Sequence, residues 1–174
     1  MTGKKVIVKE YDPCWPQAFR RIRQELVNGL DSCILSVEHV GSTSVPGLAA
    51  KPIIDLDVII SDTISLELVI EKLAYMGYIH EGDLGIQGRE AFCYEDKRHL
   101  YKHHLYVCRE SSRELNRHIT FRDYLRTNPQ AVQEYAAAKL EAASLYPNSI
   151  DDYMRHKASC IHRIYVRCGL ESDQ

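Results

Sequence analysis

His39-Val40-Gly41-Ser42, followed by the run Ile53-Ile54-Asp55-Leu56-Asp57-Val58-Ile59-Ile60, decides how this chain reads. In an extended strand successive side chains alternate, so Asp55 and Asp57 project from one face while Leu56 and Val58 pack on the other. Two carboxylates held that close repel unless a cation lies between them or one takes up a proton. Mg²⁺ suits such a pair, because it takes carboxylate oxygens and leaves its other positions to water and phosphate. An Asp-Leu-Asp can also simply end a strand in a solvated loop. Here, however, only the two aspartates interrupt the apolar run, at alternating positions, and packing gains nothing from that. Upstream, Gly41 lets the backbone approach a phosphate and Ser42 offers a hydroxyl where free N–H groups attract anions. A Gly-Ser alone is usually just a turn. Joined to the acidic strand, it reads as a phosphate-binding turn coupled to a metal-binding strand.

Outward from this core the pattern predicts α+β. A strand is expected at 6–8, a helix at 16–30 with Phe19, Ile22, Leu26 and Leu30 on one stripe, and strands at 34–39 and 53–60. A helix over 64–76 would cover the sheet, and a strand is expected to open at 78–80. Gly82, Gly85 and Gly88 mark a mobile loop or hairpin. Strands at 91–94 and 103–107 would complete a small mixed sheet. Three helices fill the last third: one capped by Ser111 or Ser112 and ending near Arg126, one from Asn128-Pro129 to Leu145, and one capped by Asn148 and running over 150–168. Strands first and helices later, with one crossover helix, argue α+β rather than α/β.

The chain has 174 residues and a net charge near −2. That is the size of one domain, expected over residues 1–174, able to bury about 70% of its unfolded surface. No global basic field attracts nucleic acid or an anionic membrane, and no stacking platform interleaved with basic residues appears, so nucleic acid and membrane are not expected partners. The N-terminal stretch 1–10 carries Lys4, Lys5 and Lys9 without an apolar leader, and the expected location is cytoplasmic. Cys14, Cys33, Cys93, Cys108, Cys160 and Cys168 form no Cys-x-x-Cys pair and read as free thiols.

Val40-Gly41-Ser42, twelve intervening residues and Asp55-Leu56-Asp57-Val58 fit the signature of the nucleotidyltransferase fold. The wider wording resembles the GrpB family: Glu38 through Leu48, Lys51-Pro52-Ile53-Ile54-Asp55, and Phe121-Arg122-Asp123-Tyr124-Leu125-Arg126 with Lys139. The resemblance spans about residues 5–167. It implies Asp55 and Asp57 as holders of one or two Mg²⁺ or Mn²⁺ ions, with Gly41 and Ser42 on the phosphate tail of a nucleotide. It also implies a third carboxylate on a neighbouring strand, where this chain has His104, with Tyr106 on the same face and His103 opposite. Three readings stay open. His104 acts as base or third metal ligand; or the transfer chemistry is gone, leaving a binding module; or Glu90 or Glu95 substitutes.

Basic candidates for phosphate are Lys51, Arg89, Arg98, Arg122, Arg126, Lys139 and Lys157. Arg122 and Arg126 lie at i, i+4 spacing, which suits a paired anion clamp, with Asp123 pointing elsewhere and a structural salt bridge as its default role. The same spacing relates Tyr153 and Lys157. The leading expectation is a metal-dependent nucleotide-binding protein or nucleotidyltransferase with a nucleotide or phosphate-bearing small molecule as partner. One alternative is a non-catalytic accessory domain acting on a protein partner, as the family's occurrence fused to dephospho-CoA kinase implies. Another is a metallohydrolase built on His39, Asp55, Asp57 and His104.

Overall fold

The computed structural model describes residues 5–170. Residues 1–4, part of the stretch expected to lack a leader, lie outside them. The first helix, α1 (Trp15–Leu30), carries its proline in the first turn, where a missing N–H has no helical partner to lose. Its stripe of Trp15, Ala18, Ile22, Leu26 and Leu30 is buried. After a 3₁₀ turn, β1 (Ser36–Val40) leads through a second such turn at Ser42–Ser44 and a loop into β2 (Ile54–Ile60). The next helix, α2 (Leu66–Tyr75), starts where the Ser65 hydroxyl accepts the Leu68 N–H. The hairpin of β3 (Ile79–Gly82) and β4 (Arg89–Cys93) spans the glycine-rich segment, and β5 (His103–Arg109) follows. Helices α3 (Arg113–Thr127), α4 (Pro129–Leu145) and α5 (Ile150–Arg167) form the last third.

The sheet runs β1-β2-β5-β4-β3, with β2 and β5 parallel and the other neighbours antiparallel. This is the mixed α+β architecture expected, with a helical C-terminal third. Two local expectations fail for identifiable reasons. Residues 6–8 form no strand: Val6 donates its N–H to the Pro147 carbonyl at 2.8 Å, and Lys9 makes only an isolated bridge to Ala50. Asn148 does not cap α5; the hydroxyl of Ser149, one residue on, accepts the Asp152 N–H. Asn128 sits at the start of α4, yet its side-chain amide turns back to the Tyr124 carbonyl at 2.7 Å and closes α3.

The alternation of β2 divides the molecule. Ile54, Leu56, Val58 and Ile60 join Leu105 and Val107 of β5 and Phe92 of β4 in a core with α1 and α2. The opposite face, carrying Asp55, Asp57, His104 and Tyr106, turns to the last three helices. Those helices pack on one another and on the loop after β1 through Val45, Leu48, Leu125, Tyr135, Cys160 and Ile164. Among the described residues no helix is long and apolar enough to cross a membrane, and the six cysteines are free.

Leu56 is completely buried at the centre of the larger core. Leu56→Ala is expected to cost about 2–5 kcal/mol, read as a lower urea midpoint with an unchanged slope.

Candidate functional site

Gly41 follows β1 with φ +68° and ψ −171°, a backbone region open in practice only to glycine. A Cβ here would also lie 2.9 Å from the Asp55 Cβ. The chain turns at this point because nothing larger fits between the turn and the acidic strand. The Ser44 hydroxyl donates to the Gly41 carbonyl at 2.6 Å and tightens the turn.

The β2–β5 register sets Asp55 beside His104 and Asp57 beside Tyr106. His104 Nδ1 lies 2.9 Å from Asp55 Oδ1. Since a carboxylate only accepts, Nδ1 donates, and in the neutral ring Nε2 is then the accepting nitrogen. Asp55 and His104 line a cavity of about 250 Å³ together with Ser42, Lys51, Tyr106, Lys139, Tyr153 and Lys157. Lys139, from α4, is almost wholly buried; it donates to the Ser42 hydroxyl and to the Ala49 carbonyl at 3.1 Å, and lies 4.1 Å from the centre of the Tyr135 ring. Lys51 and Lys157 approach the buried Tyr153 ring at 5.8 and 4.9 Å. Burial, reinforced by the Lys157 charge, drives the Lys139 ammonium well below its usual range. Burial and then Lys51 lower Lys157 to about 8, against the pull of Asp55. None of the three lysines pairs with a carboxylate at salt-bridge distance among the described residues. Two buried lysine amines and the half-buried Lys51, lining one cavity with the Ser42 hydroxyl, make an anion site with no salt-bridged carboxylate of its own among the described residues.

Asp57 is fully buried. His118 of α3 places Nδ1 2.7 Å from its Oδ2 and Nε2 3.2 Å from Glu114 Oε1. Burial opposes charge on the imidazole, but hydrogen bonds to the two acids outweigh it and raise His118 to about 9. Burial likewise raises the Asp57 carboxyl, opposed by the His118 hydrogen bond. The other oxygen, Asp57 Oδ1, is buried with no partner. Neither His118 nor Glu114 was a sequence candidate. The signal was there: Glu114, His118 and Arg122 recur at i, i+4, so α3 turns a polar stripe toward the acidic face of the sheet.

Other sequence candidates are placed differently. The Arg122–Arg126 clamp is not formed, because their donors hold the protein's own loop. Arg122 bonds Glu38, Asp123 and the His39 carbonyl, and Arg126 makes two bonds to the Ser44 carbonyl. Asp123 has the structural salt bridge expected of it, its partner being Arg122 at 2.8 Å. The guanidinium of Arg89 stacks on Tyr106 at 4.2 Å, while Arg98 pairs with Asp96 on the open surface. Glu90 lies across from Val107 and bonds His80 at 2.6 Å, and Glu95 borders a groove with Ala74 and Tyr78; neither joins the aspartates. The four-residue metallohydrolase set does not assemble. His39 lies opposite Leu56, stacks on Phe19 and bonds Thr43 at 2.9 Å; burial lowers its pKa to about 4.

Nor do Asp55, Asp57 and His104 form a three-ligand cage: among the described residues no group of three or more His, Cys, Asp and Glu side chains gathers to hold a metal, and His104 is instead bonded to Asp55. A divalent ion carried by two carboxylates, water and phosphate has fewer demands. The buried, unpartnered Asp57 Oδ1, on the same strand two residues from Asp55, fits that chemistry.

The family model described as GrpB protein matches residues 5–167. The chain belongs to the GrpB family. Similar proteins include the UPF0157 protein YqkA of Bacillus subtilis, 32% identical over 88% of this chain, which spans only 44% of YqkA. A dephospho-CoA kinase of Mycolicibacterium paratuberculosis is 26% identical over 90% of this chain, again across 44% of its own length. A crystal structure of GrpB from Enterococcus faecalis superposes with a TM-score of 0.81 at 37% identity, covering 93% of this chain and 96% of that one. The fold likeness extends to Cid1 poly(U) polymerase bound to MgATP, with a TM-score of 0.51, 15% identity, and coverage of 75% of this chain and 45% of the polymerase. The GrpB chain therefore has a nucleotidyltransferase-like fold.

In this GrpB chain Gly41→Ala is expected to lower stability by about 1–3 kcal/mol, because φ is positive and the added methyl meets Asp55. Thermal unfolding checks it; an unchanged midpoint would mean the turn relaxes freely.

Proposed function

We propose that the cleft binds the polyphosphate of a nucleotide, or of a closely similar phosphate-bearing metabolite, with one face of β2 carrying Mg²⁺ or Mn²⁺, and that it transfers the nucleotidyl group to an acceptor. The observation that carries this is the convergence of Lys51, Lys139 and Lys157 on Ser42 and Asp55 without an acidic partner of their own. The Cid1 likeness supports the same reading, since that protein was solved with MgATP on a similar fold.

Each residue then has a task. The Ser42 hydroxyl and the lysines hold the leaving pyrophosphate, Lys139 acquiring its proton as the anion arrives. Gly41 keeps the turn close to Asp55. Asp55 fixes the His104 ring so that Nε2 faces the cleft and accepts the proton of the acceptor hydroxyl. Tyr153 excludes water beneath the lysines. A divalent ion held by Asp55 and Asp57 would neutralise charge developing on the transferred phosphorus centre.

A second reading is favoured by one observation, the match to about half of a dephospho-CoA kinase: an accessory domain that assists a partner enzyme. It requires a stable complex that survives loss of Asp55.

Thermal unfolding with nucleoside triphosphates and Mg²⁺ or Mn²⁺ separates these. A ligand at about 100 times its dissociation constant adds roughly 2.7 kcal/mol, several degrees for a chain of this size. Wild type is expected to shift only when metal is present. Asp55→Asn should abolish the shift and keep the fold; it is a cleaner probe than Asp57→Asn, which leaves His118 facing a neutral amide. No shift in wild type with any nucleotide would overturn the proposal.

The cleft also predicts a pH profile. Lys157 faces Lys51 from the loop before β2, Lys139 from α4 and Asp55 from β2. Its folded pKa of about 8 means the ammonium is present below that value and lost above it. Polyphosphate affinity should therefore fall as pH rises through about 8. Lys157→Arg, charged throughout, should flatten that part of a calorimetric profile. An equally steep fall in the variant would exclude Lys157 as its source.

A further inference from the structure

A second, larger cavity lies close to the acidic face and has no part in the reading above. Its volume is about 710 Å³, and its walls include Ile86 and Gln87 from the β3–β4 connection, Glu114, Asn116 and Arg117 from α3, and Leu170 after α5. Sites that enclose a small molecule typically measure roughly 300–1,000 Å³. The polyphosphate cleft, at about 250 Å³, falls below that range, and the second cavity falls within it. One imidazole ring separates its wall from the strand: Glu114 lies 3.2 Å from His118 Nε2, and His118 Nδ1 lies 2.7 Å from Asp57 Oδ2. The Tyr106 ring, which lines the polyphosphate cleft, is centred 6.3 Å from the His118 ring and 6.5 Å from the His104 ring. A row of three rings therefore joins the two cavities.

The cavity is built rather than left over from loose packing. The Ser112 hydroxyl donates to the Gly88 carbonyl at 2.8 Å and accepts the Leu115 N–H, so the group that caps α3 also ties the β3–β4 connection to it. Gly88 has φ +83°, and an added Cβ would lie 3.1 Å from that hydroxyl oxygen. Within the connection, Asp83 accepts the Gly85 N–H on its side chain and the Ile86 N–H on its carbonyl.

The lining is chemically mixed. Gln87 and Asn116 are exposed and end in amides with no side-chain hydrogen bond among the described residues. Each amide offers both donors and an acceptor, which matches adjacent hydroxyls. Arg117 is held in place by Glu114 at 3.4 Å and by the Tyr165 ring at 4.6 Å. A planar guanidinium suits phosphate or carboxylate. The half-buried Ile86 and Leu170 offer the apolar surface that the C–H face of a sugar ring needs.

We propose that this cavity binds the acceptor of the transfer, a hydroxyl-rich small molecule of sugar-phosphate type, with one hydroxyl directed past Tyr106 toward His104. This rests on the nucleotidyl-transfer reading above and names the class of its second substrate. The acceptor oxygen bonds to the α-phosphorus, the bond from that phosphorus to the pyrophosphate oxygen breaks, and the hydroxyl proton passes to His104 Nε2.

The test uses ribose 5-phosphate as probe, with the full chain, Mn²⁺ and a non-hydrolysable ATP analogue. Relaxation of the ribose protons is read by nuclear magnetic resonance, because a paramagnetic ion speeds it only at close range. Wild type is expected to speed it beyond the same solution without protein, and exchanging Mn²⁺ for Mg²⁺ should remove the effect. Asn116→Trp fills the cavity and should abolish it. Gln87→Ala removes one amide and should weaken probe binding about two- to tenfold.

A bound nucleotide without protein-dependent relaxation of the probe in wild type would overturn the inference and leave the metal-dependent reading intact. So would an undiminished effect in Asn116→Trp, since the probe would then lie elsewhere. Inorganic phosphate competing as strongly as ribose 5-phosphate would overturn the assignment of a hydroxyl-rich ligand. Failure of wild type to bind the nucleotide at all would overturn both the reading and the acceptor role. If Asn116→Trp does not fold, Gln87→Ala decides: an affinity equal to wild type refutes the site, and the expected weakening sustains it.

Discussion

A fully buried carboxylate in the middle of the central strand constrains the rest of this molecule. Asp57 has no access to solvent, and a carboxylate there is tolerable only with a cation and hydrogen bonds supplied by the fold. His118 provides both, which ties α3 to β2 at one point, and Glu114 balances the imidazolium from the helical turn before. Removing one partner from such a buried pair typically costs about 3–5 kcal/mol. The last helices are thus anchored to the sheet by charge at the same place where the acidic face needs compensation.

The loop between β1 and β2 is held from behind by the same helix. Arg122 and Arg126 spend their donors on the carbonyls of His39 and Ser44 and on nearby acids, so the turn at Gly41 is positioned before any ligand arrives. Lys139 reaches the loop from α4 and bonds both Ser42 and the Ala49 carbonyl. A preorganised turn lowers the ordering cost of binding a flexible polyphosphate. The arginines shape the site without lining it, while the lysines line it; a fixed fork suits carbonyl and carboxylate geometry, and a point charge suits a mobile anion.

Much of this was legible beforehand. The alternation in residues 53–60 identified the strand, its buried face and its acidic face, because a period of two is a backbone property. Glycine at 41 was legible for the same kind of reason, a local conformation that other residues avoid. The helix stripes gave the last third. The misread element was one whose backbone groups found distant partners: Val6 bonds the Pro147 carbonyl and Lys9 bridges Ala50, so residues 6–8 do not join the sheet, whereas α4 starts after Asn128 as its sequence indicates. Whether His104 faces Asp55, and bonds it, could not be read from the sequence, and His39 could not be excluded until β1 was seen to turn it toward Phe19.

By itself, then, the sequence determined the α+β class, the acidic strand, the glycine turn and membership of a recognisable family, all of which depend on spacing along the chain. Tertiary structure decided which cations meet which anions. Arg122 and Lys139 look alike in a list of basic residues; one is consumed by Glu38 and Asp123 and the other is buried beside Ser42 without a salt-bridge partner among the described residues. The spacing of Glu114, His118 and Arg122 marks a polar helix stripe, but the pairing of His118 is silent in sequence because its partner lies 61 positions away. Charge pairing acts over a few ångströms of space, and only the packing of α3 to α5 on the sheet fixes those distances.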